Sequence, residues 1–291
     1  MSFKTFQAKK LNQEFNKFLK MSLKLEKKLE NELYEKYTGV MFQQIIDVIT
    51  RNLDYPSMNL NILENELYML LSNYDEWYNE LMDSYVEQSM ELARQRHQQY
   101  TELLHNKEVT NSLLSDDITK KSWFKLISNK VKSRFKRTRK KTSLTGKLKA
   151  KNYRLKRQKK YTNSTFSKRT TKKVSRVIQK HYKNKKDTVH LKKSLNDKLR
   201  KIFNEDAKRM AESIIQGSKN ESAYDEIMND ESIKNKQWIT QGDDKVRDSH
   251  AELEGTIIPK DEVFPNGLEF PRDDRGDAEE VINCRCELLP A

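Results

Sequence analysis

The chain has 291 residues, of which 35% are hydrophobic and 34% charged, with a net charge of +14. That length allows two domains at most on ordinary domain sizes, and the apolar content is too low for the whole chain to share one core. Its uncharged apolar runs fall far short of the ~20 residues a membrane helix needs, the N-terminus lacks the apolar stretch of a secretory signal, and Cys284 and Cys286 are too few to staple a secreted fold.

In chain order, Leu11, Phe15, Phe18, Leu25, Leu29 and Leu33 recur at steps of three and four, with a seven-residue gap at Ser22. Such spacing puts them on one stripe of a helix. Gly39 and then Asp54-Tyr55-Pro56-Ser57, followed by Asn59, break the pattern, because proline has no N–H for the helix ladder. Leu60, Leu63, Leu67, Leu70, Tyr74, Trp77 and Leu81 resume it, and the spacing predicts a second helix over 60–105. Its length points to pairing in an antiparallel bundle. Residues 1–118 are therefore read as a helical domain.

The charge is segregated. Residues 120–200 carry 32 Lys or Arg against two acids, Asp187 and Asp197, a formal +30, which leaves the rest of the chain at −16. Like charges at this density repel, so the segment 119–193 is expected to be partly disordered unless a polyanion neutralises it. Short helices are expected at Ser122–Ile127 and around Val174, Val177, Ile178 and Leu191, with residues 133–171 mobile in isolation. Counterion release favours sequence-independent DNA or RNA binding. The candidate phosphate contacts are Lys136, Arg137, Arg139, Lys140, Lys141, Arg154, Lys156, Arg157, Lys159 and Lys160. Trp123, Phe124, Phe135, Tyr153, Tyr161, Phe166 and Tyr182 are interleaved among the basic residues, where they are candidates to stack on bases. Pairing with the acidic flanks of the same chain is the competing reading.

Leu195, Leu199, Ile202, Ala207, Met210 and Ile214 restore the helical stripe. Four of the five prolines and four of the seven glycines then fall in the last fifty residues, which signals short strands and turns. The chain as a whole reads as mainly α: an N-terminal helical bundle over 1–118, a basic, partly disordered middle over 119–193, and a small α+β C-terminal domain over 194–291.

This last region carries Trp238, then Asp243, Arg247 and His250, then Gly255, and finally Asn283-Cys284-Arg285-Cys286. That order and spacing resembles the phage Mu F-like minor head protein family, also called phage head morphogenesis proteins, over about the last 55–90 residues. Members carry an Ala-Arg-Thr-Glu stretch on the helix before the tryptophan, and Arg209-Met210-Ala211-Glu212 is taken to stand in its place. The resemblance implies a bacteriophage virion protein in the capsid interior or near the portal, passing through the host cytoplasm during assembly. It further implies a role in head morphogenesis or genome ejection, with portal and capsid proteins as partners; non-specific DNA is the partner expected from the basic segment itself.

His250, Cys284, Cys286 and an aspartate, Asp243 foremost, form a candidate zinc set, since thiolate, imidazole and carboxylate are all zinc ligands. The alternative is a polar network in which His250 and Arg247 bind the aspartates and both cysteines act as small buried hydrophobes. Asn283 and Gly255 are expected in turns, and Trp238 in a core. No phosphate-cradling loop or His-Glu-x-x-His pair is present, so neither catalysis nor a small-molecule substrate is expected. The other functions considered are a host RNA-associated protein and a metal-dependent nuclease.

Overall fold

The computed structural model describes residues 3–53, 59–105, 165–181 and 188–291. Long helices dominate: α1 (Phe3–Lys36), α2 (Phe42–Leu53), α3 (Leu60–Ser72), α4 (Asp75–His105), α5 (residues 165–181) and α6 (Thr188–Asn229). A three-stranded antiparallel sheet follows, built from β1 (Asn235–Ile239), β2 (Ile257–Pro259) and β3 (Glu287–Pro290) in the order β2-β1-β3. One-turn helices α7 (Asp248–Ala251) and α8 (Ala278–Val281) lie between the strands in sequence. Among the described residues no helix is long and apolar enough to cross a membrane.

The chain forms two compact units, neither of them one continuous stretch. Of the expected domain boundaries, 118/119 lies outside the described residues, and 193/194 falls within α6. The first unit is helical, made of Leu25–Tyr85 with 152–214. Its core is the set of stripes visible in the sequence: Leu29, Leu33, Leu63, Leu67, Leu195, Leu199 and Met210 are all buried. The stripe over 60–105 does not run through one helix. Asn73 and Tyr74 form a turn between α3 and α4, with the Asn73 N–H shared between Met69 and Leu70 carbonyls. The break leaves the stripe in phase: Leu63, Leu67 and Leu71 are buried before it and Tyr78, Met82 and Tyr85 after it, all within one face at about 100° per residue.

Asn59 caps α3, its side chain accepting from the Asn61 N–H at 3.0 Å. Gly39, expected at a break, sits in a π-helical turn, Tyr37–Met41, with a non-helical φ of −88° and ψ of −119°. That turn directs Tyr37 inward, where its hydroxyl meets that of Tyr78 at 2.8 Å. Its ring stacks on Phe166, centroids 4.7 Å apart. Phe166 is thereby a core residue and not a platform for bases. Near it, buried Asp206 receives hydrogen bonds from Arg169, Arg209 and Thr170, and Lys173 lies 3.6 Å from Glu205. Part of the basic segment is thus spent on acids of its own chain. Residues 165–181 and 188–193, expected in the partly disordered middle, are helical.

The second unit comprises residues 1–24, 86–151 and 215–291. β1 supplies its centre, because alternate residues Lys236 and Trp238 point inward and both are fully buried. The Lys236 ammonium donates to the Glu269 carbonyl at 2.8 Å and sits over the rings of Tyr224 and Phe264. β3 pairs with β1 at Gln237↔Leu289 and Trp238↔Leu288. Its outer edge faces side chains of α4 and α6: the Leu288 N–H donates to Asn220 at 3.1 Å and the Leu288 carbonyl accepts from Arg96 at 3.0 Å. An edge strand presents unpaired backbone groups, and here two helical side chains satisfy them.

Candidate functional site

The motif residues converge beside this sheet. Asn283 adopts a left-handed φ of +57°, turning the chain into the extended run Cys284-Arg285-Cys286 that leads into β3. Side chains alternate along extended backbone. Both cysteines therefore face inward, 1% and 3% exposed, while Arg285 faces out and bonds Asp243. The run is fixed on both sides: Arg272 donates to the Cys284 carbonyl and Asn220 to the Cys286 carbonyl, at 2.5 and 2.8 Å. Opposite, α7 carries His250, buried at 1% and edge-on to Trp238 with centroids 5.2 Å apart.

The donor atoms of His250, Cys284 and Cys286 all lie within 4.8 Å of one another. Nδ1 of His250 is 3.5 Å from Cys286 Sγ, and its Nε2 is 2.8 Å from the Glu280 carboxylate on α8. Asn266 and Ser249 also donate to Glu280, at 3.2 and 3.3 Å. Asp243, the expected fourth member, lies outside this group: Arg285 and the Lys245 N–H occupy its carboxylate. Burial acts to raise the Asp243 carboxyl, but Arg285 and Lys245 together outweigh it and hold it below its usual range. Nor does the expected network of His250 and Arg247 with aspartates form, since His250 bonds a glutamate and Arg247 donates to the Ile282 carbonyl.

The cluster is electrostatically polarised. A hydrogen bond from Cys286 pulls the Cys284 thiol well down against the effect of burial, with His250 adding to it, and the same bond pushes Cys286 up. Burial acts to lower the His250 imidazole, yet Cys284 and Glu280 together raise it. Neither cysteine is in a disulfide. A small cleft reaches the cluster, lined among others by Gln241, Asp243, Arg247 and Asn283.

Gly255, at φ +69°, packs against Gln237 and donates its N–H to the Trp238 carbonyl at 2.9 Å. A side chain there would sit in a backbone region that favours glycine. The candidate phosphate contacts, Lys136 through Lys160, lie outside the described residues, as do the stacking candidates other than Phe166.

Several residues that build the site carried no motif. Glu287 is buried at 1% and bonds Arg96 and Lys219, each at 2.5 Å. Burial pushes its carboxyl up, but Lys219 and Arg96 outweigh that and hold it below its ordinary value. Lys219 also donates to Ser22 at 2.9 Å, so the gap in the first helical stripe is a buried hydroxyl with a partner. Lys219 and Asn220 of α6 thus engage the C-terminal strand, and the Arg209 guanidinium is bound to Asp206. The run Gln216 to Ser222, which has no apolar side chain, interrupts an apolar helix stripe yet is buried throughout. Buried polar groups at such a place call for partners.

A family model described as "Phage Mu protein F like protein" matches residues 123–289. The match begins well upstream of the Trp238-to-Cys286 motif, across the basic segment, where no family pattern was legible. An uncharacterised protein of Bacillus subtilis (strain 168), YqbB, is 39% identical over 66 residues, 20% of this chain. The chain spans only 22% of the length of that curated relative. No solved structure matches.

Proposed function

The chain belongs to the phage Mu protein F-like family, whose place is in bacteriophage head morphogenesis, and from that premise we propose that it is a minor head protein whose basic segment binds packaged DNA without sequence preference. It acts by binding and not by catalysis. Its location is the capsid interior or the vicinity of the portal, with portal or capsid proteins as protein partners, and it contributes to head assembly or genome delivery.

The observation that carries the reading is the charge: +30 over residues 120–200, a segment of which all but the first three residues lie within the family match beginning at residue 123. A DNA duplex presents a phosphate charge about every 1.7 Å of axis, and neutralising it releases counterions. The Arg169 and Lys173 pairings with Asp206 and Glu205 compensate only a small part of the excess. The acidic remainder of the chain, at −16, suits protein contacts better than DNA contacts.

The test is affinity for a random-sequence duplex across a salt series. The full chain is compared with a variant in which the ten residues from Lys136 to Lys160 named above are changed to glutamine. Each phosphate contact contributes about −0.9 to the slope of log affinity against log salt. The ten together lower the magnitude of the slope by up to about 9. An unchanged slope refutes the assignment, and tighter binding to structured RNA at matched salt turns it toward an RNA-associated role.

A further inference from the structure

We propose that His250, Cys284 and Cys286 form a zinc site, with His250 Nδ1 and the two sulfurs as protein ligands and the fourth position open to a water in the adjoining cleft. The geometry supports this independently of what the protein does in the head. Zinc bonds of about 2.3 Å to sulfur and about 2.05 Å to nitrogen, at a tetrahedral angle, place sulfur and nitrogen about 3.6 Å apart. His250 Nδ1 and Cys286 Sγ are 3.5 Å apart, and all three donor atoms fall within 4.8 Å of each other.

The surroundings orient these donors as a metal requires. Glu280 accepts a hydrogen from Nε2 of His250 at 2.8 Å, which fixes the tautomer that leaves the Nδ1 lone pair facing the sulfurs. A carboxylate on the far nitrogen of a ligating histidine is the usual support for such a ligand. Asn266 and Ser249 hold Glu280 in turn. The one-residue spacing of the cysteines, unfavourable on a helix, works here because the run is extended and pinned at both its carbonyls by Arg272 and Asn220. Two thiolates and a neutral imidazole leave a zinc complex without net charge, which suits a buried setting. Binding releases the thiol protons and any proton on Nδ1 to solvent.

Full-length protein purified without chelator is assayed for metal content, and the stripped chain is titrated with Co²⁺. The expected result is one equivalent of zinc per chain. Cobalt should give thiolate-to-metal charge transfer in the near ultraviolet and visible bands of four-coordinate intensity. The double variant Cys284→Ser with Cys286→Ser should lose the zinc, whereas His250→Cys, which keeps a ligand, should retain it. The cobalt spectrum needs no substitution, so a variant that fails to fold leaves the test intact. A native chain that takes up neither metal, or a cobalt complex without thiolate charge transfer, overturns the site. So does a folded double variant that holds zinc as tightly as the parent.

Discussion

Replacing Asn220 by alanine isolates the contact that closes the sheet edge. The Asn220 side chain is fully buried; it donates to the Cys286 carbonyl at 2.8 Å and accepts from the Leu288 N–H at 3.1 Å. Both residues it serves are buried, at 3% and 0%. Asn220→Ala leaves one acceptor and one donor without partners, each at a cost of about 1–3 kcal/mol, so the expected loss is about 2–6 kcal/mol. Asn220→Asp adds a direction. It keeps the acceptor for Leu288 but sets a carboxylate against the Cys286 carbonyl, so the new carboxyl has a raised pKa in the folded state. Its stability deficit therefore grows as pH rises through the carboxylate range and shrinks below it. The assay is guanidinium denaturation read by Trp238 fluorescence, in a background with Trp77 and Trp123 changed to phenylalanine. An Asn220→Ala loss below about 0.5 kcal/mol would show that the edge is satisfied in some other way.

Three further outcomes follow from the packing. Glu287→Gln breaks a buried pair on both sides and should cost about 3–5 kcal/mol near neutral pH. Because the Glu287 carboxyl is held below its ordinary value, the parent's advantage is full above the usual carboxylate range and fades as pH falls through the lower folded value. Urea midpoints from pH 3 to 7 would register this, and a pH-independent difference would count against it. Gly276→Ala places a Cβ 2.2 Å from a Leu268 methyl and should cost about 1–3 kcal/mol by overpacking, read as a lowered unfolding midpoint. Phe166→Ala should cost about 3–5 kcal/mol in the helical unit while leaving the salt slope of DNA binding unchanged; a reduced slope would mean that the ring serves nucleic acid after all.

Much of the helical architecture was readable because burial follows period. Leu29, Leu33, Leu195, Leu199 and Met210 sit where a 3.6-residue repeat puts them. The break at Asn73 was not readable, since Asn73 and Tyr74 are neither proline nor glycine and the buried stripe keeps its phase from Leu71 to Tyr78. In the site, the order of Trp238, His250 and Cys284-Arg285-Cys286 was visible, and their meeting was inferred from residue type. Glu280, Asn220 and Glu287 were invisible for a common physical reason: each is polar, and only tertiary contact with a distant segment decides whether a polar residue is buried. Asp243 erred in the opposite sense, its chemistry suiting a metal while Arg285, two residues before the β strand, was nearer to claim it. Phe166 failed as a stacking candidate because its basic neighbours dominate the local composition, although its ring completes the Tyr37 cluster.

The most direct test of the account is ultraviolet crosslinking of protein to DNA in purified, DNA-filled heads of the phage that encodes this chain, followed by mass spectrometry of the crosslinked peptides. The account predicts that the chain is present in these heads and that its crosslinks fall within residues 120–164. A chain missing from filled heads, or one present there with no crosslink in that segment, would contradict it.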